Sequence, residues 1–366
     1  MQWKDDWAEA RSNLARWWRC DGLALSLTAP RMTPIDSVPA PSRPVNAVSR
    51  WTDAKWRAMA EEYRMATTRY YAEAYPVFET QIGPGSLGVM LGATPHFDDR
   101  TVWYEPCIDD PETFPAICLN TVNNTGWDMH MAIIDEALRR ADGRYLVNVP
   151  DLIENLDTLA AMRGSEQLLY DLVDRPGWVH RRLAEITEAY AQAYNLIYEK
   201  VRDPDGGSAF AAFGIWGPGK TAKVQCDFSC MIGLAMFQEF FIPYVRRQCD
   251  RLDFVLYHLD GPGAVQHLDA LLGVESITAI QWTPGAAAPT GGHRCWYPMY
   301  RHIRAAGKGV WVSLEHGSQV DPLIDAIGPE GLFIRYIADD EASAQQIVET
   351  VQSYRPDRKR SQDAMP

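Results

Sequence analysis

A regular alternation of strand-like and helix-like segments in the second half of the chain is the strongest constraint on its fold. Four short apolar runs, typical of strands buried on both faces, are each followed by a segment of helical periodicity. The runs are Phe254–Tyr257, Ile277–Trp282, Val310–Leu314 and Leu332–Ile337, and the helical segments are Ala264–Leu272, Tyr297–Ala306, Gln319–Ile327 and Glu341–Ser353. Because neighbouring parallel strands need such crossover helices, the pattern predicts βαβ units and a parallel sheet.

Four more candidate strands precede this region, and they bring the total to eight. They are Val77–Ile82, Val102–Glu105, Tyr145–Val149 and Ala209–Ile215. Eight strands alternating with helices are typical of a closed (β/α)₈ barrel of the TIM type, so we assign residues 76–354 to an α/β barrel. Two long helices, one from Pro176 and one from about Ser229, are expected to use their aromatic stripes for packing.

The first 75 residues are expected to form an N-terminal helical extension of this barrel. A surface helix is predicted over Asp5–Arg19, and residues 52–75 also have a helical pattern. Between them, residues 30–50 contain five prolines and no helical period, which predicts an extended, irregular connection. The polar residues 355–366 are expected to form a flexible tail.

Composition and charge narrow the class of protein. Hydrophobic residues make up 46% of the chain and charged residues 23%, as in soluble globular enzymes. The net charge of −13 favours neither nucleic acid nor an anionic membrane as a partner. No apolar run reaches the roughly 18 residues of a membrane span, and the N-terminal residues lack the apolar core of a signal peptide. With seven cysteines, an odd number that predicts reduced thiols, we expect a cytoplasmic protein.

Polar residues at strand ends are the candidate catalytic groups, because barrels of this type place their chemistry there. His258 and Asp260 lie two apart, so on a strand they share one face and can bind a divalent metal or act as an acid–base pair. Glu315 and His316 follow the third apolar run. Only one of them can face the barrel axis, and we consider Glu315 as a third catalytic group and His316 as a third metal ligand. The alternative is that Asp260 caps a helix and His258 is a buried, hydrogen-bonded histidine.

Candidate substrate-binding residues lie near the same strand ends. Trp216 and Trp282 precede glycine-containing turns, where indole rings can stack on a flat substrate. Arg335 and Tyr336 end the last strand, and one of them can hold an anionic group. As alternatives, the two tryptophans seal the core, and the end of the last strand forms a surface ion pair instead of binding an anionic group.

Four stretches between Val147 and Ser353 resemble the uroporphyrinogen decarboxylase superfamily, which includes cobalamin- and corrinoid-dependent methyltransferases. They include the rhythm G-x-E-x-L … D-x-P-x-x-V-H, the helix motif F-x-E-F-x-x-P-Y, the strand end FVLYHLDGPG and the closing segment LFIRYIADDEASAQQIVETV. The resemblance implies a (β/α)₈ barrel. In the methyltransferases it also implies zinc held by an H-x-C pair and a further cysteine near the last strand. Here Asp260 replaces the first of those cysteines, and Arg335 and Tyr336 stand at the last strand. A harder His/Asp/Glu metal site, or no metal, is therefore expected.

The leading functional hypothesis is methyl transfer or demethylation of a small substrate at the barrel mouth. The cofactors expected for it are zinc or another divalent metal and a corrinoid supplied by a partner protein, although a cofactor-free site fits the sequence equally well. A second hypothesis is a metal-free decarboxylase or lyase for a carboxylated substrate, porphyrinogen-like or smaller. There Asp260 would stabilise a protonated intermediate, His258 would move protons and Arg335 would hold a carboxylate. A third is a non-catalytic ligand-binding barrel. A homodimer is the default expectation for an enzyme of this size.

Overall fold

The computed structural model describes residues 1–355, so the predicted tail lies outside the described residues apart from Arg355. The strands are β1 Ala24–Pro30, β2 Thr68–Ala72, β3 Val77–Phe78, β4 Thr94–Phe97, β5 Val102–Glu105, β6 Leu146–Val147, β7 Ser208–Phe210, β8 Ile215–Gly217, β9 Thr221–Gln225, β10 Phe254–Asp260, β11 Ala279–Thr283, β12 Gly309–Ser313 and β13 Leu332–Ile337. The helices are α1 Trp7–Trp18, α2 Ala47–Thr52, α3 Ala54–Ala66, α4 Ser86–Met90, α5 Thr125–Ala141, α6 Asn155–Arg163, α7 Ser165–Asp174, α8 Pro176–Val201, α9 Leu234–Phe240, α10 Ile242–Cys249, α11 Leu268–Leu272, α12 Tyr297–Ala305, α13 Val320–Ile327 and α14 Glu341–Ser353. Short 3₁₀ helices span Asp227–Met231, Pro262–His267, Arg294–Trp296 and Gly317–Gln319. None of the described helices has the length and apolar character needed to cross a membrane.

The centre of the molecule is a mostly parallel seven-stranded sheet in the order β2-β1-β13-β12-β11-β10-β9. Six of these strands are parallel, and β2 pairs antiparallel with β1 at one edge. β3 and β6 form a separate parallel pair. The arrangement is TIM-like, and the predicted α/β class is confirmed. Among residues 1–355, however, backbone hydrogen bonds do not join the strands into one closed barrel.

The two faces of the central sheet pack against different parts of the chain. On β10, Val255, Tyr257 and Leu259 face the main core, which contains most of the helices. Leu256 faces the other way, into a second apolar cluster that also contains Trp311 and residues of α1 and of the hairpin β7–β8. This alternation follows from the two-residue period of a strand. We call the face that carries Leu256 the interior face of the sheet, or the interior, and the face toward the main core the helix-facing side.

Helix α1 covers the sheet at the end where its parallel strands begin, as a surface helix with one buried face. Trp17 is fully buried and packs edge-on against Phe333, with ring centroids 5.0 Å apart. Its indole Nε1 donates a hydrogen bond of 3.0 Å to the carbonyl oxygen of Gly331, just before β13. The opposite face of α1, which includes Glu9 and Ser12, is exposed, as the sequence pattern predicts.

The predicted N-terminal extension contributes a strand to the central sheet. β1 lies between β13 and β2, with Ser26 opposite Arg335 and Ala72 on its two sides. Of the helical segment predicted over residues 52–75, α3 forms the first part and β2 the last. The sequence does not reveal this strand, because the proline-rich run after Pro30 interrupts the alternation of strands and helices there.

Two of the predicted barrel strands have other roles. Val102–Glu105 is β5, which pairs only with β4 in a separate antiparallel hairpin. Ala209–Ile215 is not one strand but most of the hairpin β7–β8, which turns at residues 211–214. Gly214 ends this turn with a φ of +61°, a left-handed conformation that glycine adopts without strain. On the side of β10 away from β11, the neighbouring strand is β9. Its alternating sequence TAKVQ is not typical of a strand buried on both faces.

The long helix predicted from about Ser229 is divided into three pieces. The 3₁₀ helix Asp227–Met231 comes first, and α9 and α10 follow with a break at Phe241. Pro243 explains the break, because it has no N–H to continue the hydrogen bonds of α9 and fits only the first turn of α10. The helix predicted from Pro176 is confirmed as α8.

Replacing Trp17 by alanine is expected to destabilise the protein by about 3–5 kcal/mol, because it leaves a cavity where α1 covers the sheet. The measurement is the urea midpoint of unfolding followed by circular dichroism. Trp103→Ala is the matched control, since Trp103 is 51% exposed, and it should change stability by less than about 0.5 kcal/mol. Equal effects of the two substitutions would contradict the buried position of Trp17.

Candidate functional site

Three side chains that can bind a metal meet where strands β9 and β10 end. They are Asp227, His258 and Asp260, and one ligand atom from each lies within 4.8 Å of the others. His258 and Asp260 lie on the interior face of β10, as their spacing predicts, and both are half-buried. Asp227 is more exposed and comes from the 3₁₀ helix after β9. The group therefore combines one imidazole with two carboxylates at the C-terminal edge of the sheet.

The pairing of β9 with β10 explains why Asp227 reaches this place. The register puts Gln225 opposite His258, so the chain that leaves β9 turns directly above the histidine. Asp157 then fixes the turn, because its two carboxylate oxygens accept hydrogen bonds of 2.8 Å from the backbone N–H groups of Asp227 and Phe228. Residues on α6 thus hold the segment that carries the third side chain of the group.

The hydrogen bonds of His258 leave one ring nitrogen available for a ligand. Its Nδ1 is hydrogen-bonded to the amide oxygen of Gln281 on the neighbouring strand. The amide nitrogen of Gln281 in turn donates to Thr283 Oγ1 at 2.9 Å. Because Nδ1 must donate to that oxygen, the neutral imidazole has its lone pair on Nε2. Burial and the charge of Lys223 lower the pKa of His258, which favours this neutral form.

A buried network of charged and amide groups lies next to the three residues and is hydrogen-bonded to Asp227. The Lys223 ammonium lies 2.7 Å from the Asp151 carboxylate and also donates to the side-chain oxygen of Gln225. The amide nitrogen of Gln225 donates to Asp227 at 2.9 Å, and its backbone N–H donates to Glu154 at 2.6 Å. Gln225 therefore connects the buried lysine with the carboxylate that completes the group.

Three carboxyl groups of this region have a raised pKa. Burial raises the pKa of Glu154 to about 8, against the effect of Lys223. Burial and the neighbouring charge of Asp227 raise the pKa of Asp157 to about 6. Burial also raises the pKa of Asp227, although His258 and Lys223 oppose that shift. A further positive charge near Asp227 would favour ionised carboxylates here.

The structure does not bring Glu315 or His316 into the group. Both are exposed in the turn after β12, and their backbone N–H groups donate to the side chain of Gln319 at 3.1 Å. Tyr336 also lies apart, on the outer side of β13 beside Gly317. Neither Glu315 nor His316 faces the interior, because β12 ends at Ser313, before either residue.

The two predicted substrate-stacking tryptophans are both buried in packing positions. Trp216 packs against Trp7 of α1 and donates its Nε1 hydrogen to Asp203 at 3.0 Å, at the opposite end of the sheet from His258. Trp282 is on the helix-facing side of β11, where its ring contacts Trp296 at a centroid distance of 4.9 Å.

The tip of the hairpin β7–β8 lies between the metal-binding group and the last strand. The Phe213 ring is 5.2 Å from the His258 ring, and the Phe213 carbonyl oxygen accepts a hydrogen bond of 3.1 Å from Trp311. Ala212, the preceding residue, accepts a hydrogen bond from the Arg335 guanidinium. Arg335 thus faces the interior, on the other side of the tip from His258.

Sequence reasoning identified His258 and Asp260 but missed Asp227 and the buried residues Asp151, Glu154 and Lys223. The missing signal was β9 itself. Once TAKVQ is recognised as a strand, the strand-end rule that selected His258 also selects Asp227, which follows it by two residues. The acidic residues that precede α6 have no such signal, because only the three-dimensional packing brings them to Lys223.

Comparison with known proteins shows a likeness of fold. No family model matches the chain, and no curated protein matches it. Among solved structures, it is similar to a methyltransferase from Methanosarcina mazei, with a TM-score of 0.62. The match covers 94% of this chain and 99% of that chain at 8% sequence identity. The likeness therefore shows a shared fold over almost the whole described chain.

We expect Glu154 to make stability fall as pH rises. Its carboxyl pKa is about 8 in the folded protein against an ordinary 4.5, so its contribution is complete below pH 4.5 and is lost as pH rises through 8. One such group adds a slope of at most about 1.4 kcal/mol per pH unit. Glu154→Gln should reduce this slope in urea unfolding between pH 5 and 8.

The control for this measurement is Glu166→Gln, which changes an exposed residue in the first turn of α7. It should keep the pH profile of the unchanged protein. A Glu154→Gln protein with the same slope as the unchanged one would show that Glu154 does not titrate in this window.

Proposed function

We propose that this protein is an enzyme that transfers a methyl group to or from a small substrate at the C-terminal edge of its sheet. The observation that carries the proposal is the meeting of Asp227, His258 and Asp260 within 4.8 Å at this edge. The fold shared with a methyltransferase supports the choice of reaction. In this proposal the three side chains bind one divalent metal ion.

The donor set fits such an ion. One imidazole nitrogen and two carboxylate oxygens suit zinc, manganese or ferrous iron, whereas softer ions prefer thiolate ligands. The bond from Nδ1 of His258 to Gln281 fixes the ring and leaves Nε2 for the metal, the arrangement usual for metal-binding histidines. Gln225 holds the carboxylate of Asp227 in the same way.

The chemistry of the site divides between the metal and the chain. When bound, a divalent metal supplies Lewis acidity for the atom that gains or loses the methyl group. Asp227, His258 and Asp260 hold that metal, and Gln281 keeps the imidazole in its neutral tautomer. Phe213 covers one side of His258 and limits the access of water from the interior.

A corrinoid partner remains part of the proposal, with a restriction on where it would bind. The hairpin β7–β8 occupies the interior of the sheet, where it packs against Trp311 and Phe333. A macrocycle presented by a partner protein would therefore approach from outside, past the 3₁₀ helix Asp227–Met231.

Metal binding is the first test. Purified protein loaded with Zn²⁺ or Mn²⁺ should retain about one equivalent by elemental analysis after desalting, and His258→Ala and Asp260→Asn should each lose most of it. The matched control is His302→Ala, because His302 forms an exposed pair with Asp269 at 2.6 Å. His316→Ala should also retain the metal. Loss in His316→Ala with retention in His258→Ala would contradict the site.

Methyl transfer is tested separately with free cob(I)alamin as the methyl acceptor. The metal-loaded protein is incubated with a panel of methylamines, methyl thioethers and methoxylated aromatic compounds, and methylcobalamin is measured by its absorbance. At least one class should give turnover that falls by about 10²-fold or more in Asp260→Asn, if the metal supplies several kcal/mol of stabilisation. Metal-independent release of CO₂ from carboxylated compounds would instead support the decarboxylase hypothesis.

A further inference from the structure

A cavity lies at the other side of the hairpin tip, between β1, β13 and the start of β3. Its volume is about 580 Å³, within the range of small-molecule sites. The tip of the hairpin forms one wall with Ala211, Ala212 and Gly214. The charged and hydroxyl groups that line it include those of Arg64, Arg335, Glu79 and Tyr70.

Arg335 brings a positive charge into this cavity without a carboxylate partner. In residues 1–355 its guanidinium forms no ion pair, and its hydrogen bond is to the neutral carbonyl of Ala212. Burial and the charge of Arg64 lower its pKa, although Glu79 opposes the shift. Because buried charges in proteins are normally paired, a half-buried cation of this kind indicates a place for an anion.

The opposite wall does not cancel this charge. Arg64 is neutralised locally, since it lies 2.7 Å from Glu61 and also donates to the carbonyl oxygen of Val77. Glu79 is hydrogen-bonded to Asn148 at 2.9 Å, and burial raises its pKa to about 7, so a large fraction of it is uncharged at neutral pH. Tyr70 adds a neutral hydroxyl, because burial raises its pKa to about 12.

We propose that this cavity binds the anionic group of the substrate, a carboxylate, phosphate or sulfonate, with Arg335 as the principal contact and Arg64 on the opposite wall. The assignment of this ligand to the substrate rests on the proposed methyl transfer. It specifies the substrate class as a small acid that also carries, or accepts, the methyl group. The volume of the cavity favours a molecule much smaller than a tetrapyrrole.

The two sites lie on the interior face of the same sheet. β10 and β13 are separated by β11 and β12, so three strand spacings of about 4.8 Å lie between His258 and Arg335 along the sheet. Both side chains point to the interior face, and both contact the same hairpin tip. In this proposal, an acid held by Arg335 passes the tip to reach Asp260.

The test is calorimetric titration of the metal-free protein with acetate, phosphate and methanesulfonate at pH 7 and constant chloride. At least one probe should bind, and Arg335→Gln should weaken that binding by about ten- to hundred-fold, the loss expected for hydrogen bonds to a charged group. Glu79→Gln should strengthen it, because it removes a nearby negative charge. Which probe binds best distinguishes carboxylate, phosphate and sulfonate substrates.

Two further variants keep the result interpretable. Arg301→Gln is the matched control, since Arg301 also donates to a backbone carbonyl, that of Ala326, but is exposed on α12. It should bind the probes as the unchanged protein does. Arg64→Gln reports on the opposite wall and should also weaken binding, which provides a second variant where Arg335→Gln fails to fold by circular dichroism.

The outcomes separate this inference from the proposed function. His258→Ala should lose metal and turnover yet bind the probe anion with unchanged affinity, because the hairpin tip separates the two sites. Anion binding that persists in a protein without any methyl-transfer activity would support the anion site and reject its link to that reaction. The anion site would be overturned if none of the three probes bound. It would also be overturned if Arg335→Gln and Arg64→Gln both bound the probe with the affinity of the unchanged protein.

Discussion

The burial of the Lys223 ammonium in the interior is the interaction on which the candidate site depends. Its side chain is 1% exposed, and such a charge is tolerated only with close partners, here Asp151 and the side chain of Gln225. The same lysine opposes the raised pKa of Glu154 and of Asp227 and lowers that of His258. One buried cation thus influences the protonation of the acidic groups around it and of the imidazole that is proposed to bind metal.

Packing decides which parts of the interior remain open for chemistry. Helix α1 covers the end where the strands begin, and the hairpin β7–β8 fills the middle, where Phe213 contacts His258 and Trp311. Free space is left toward the ends of β1 and β13, in the cavity beside Arg335. The metal-binding group and this cavity are therefore separate places joined by a single hairpin tip. A molecule that used both would be oriented by its anionic end at one and would react at the other.

Sequence patterns succeeded where a local rule governs the structure. Strand β13 and helix α14 were predicted with their observed bounds, and His258 and Asp260 share a face because the strand period requires it. The patterns failed where the interior is polar or irregular. β9 alternates polar and apolar residues because its inward side chains, Lys223 among them, join a buried network, so it lacks the apolar run by which buried strands are recognised. For Trp216 and Trp282 the choice between substrate stacking and core packing stayed open, because a residue's neighbours in the chain do not reveal which end or which side of the sheet it lies on.

The sequence by itself determined the strand–helix alternation, the α/β class and the pairing of an imidazole with a carboxylate at one strand end. These follow from periodicity and spacing, which act over a few residues. Only the tertiary structure decided that Asp227 joins that pair, that Glu315 and His316 stay outside, and that Arg335 faces a cavity with no carboxylate partner among residues 1–355. For Asp227 and Arg335 the reason is that the contacts join residues 30 to 120 or more positions apart, such as Arg335 and Ala212 with a separation of 123. Such contacts depend on how the hairpin β7–β8 and the 3₁₀ helix after β9 pack on the sheet, and no local pattern encodes that packing.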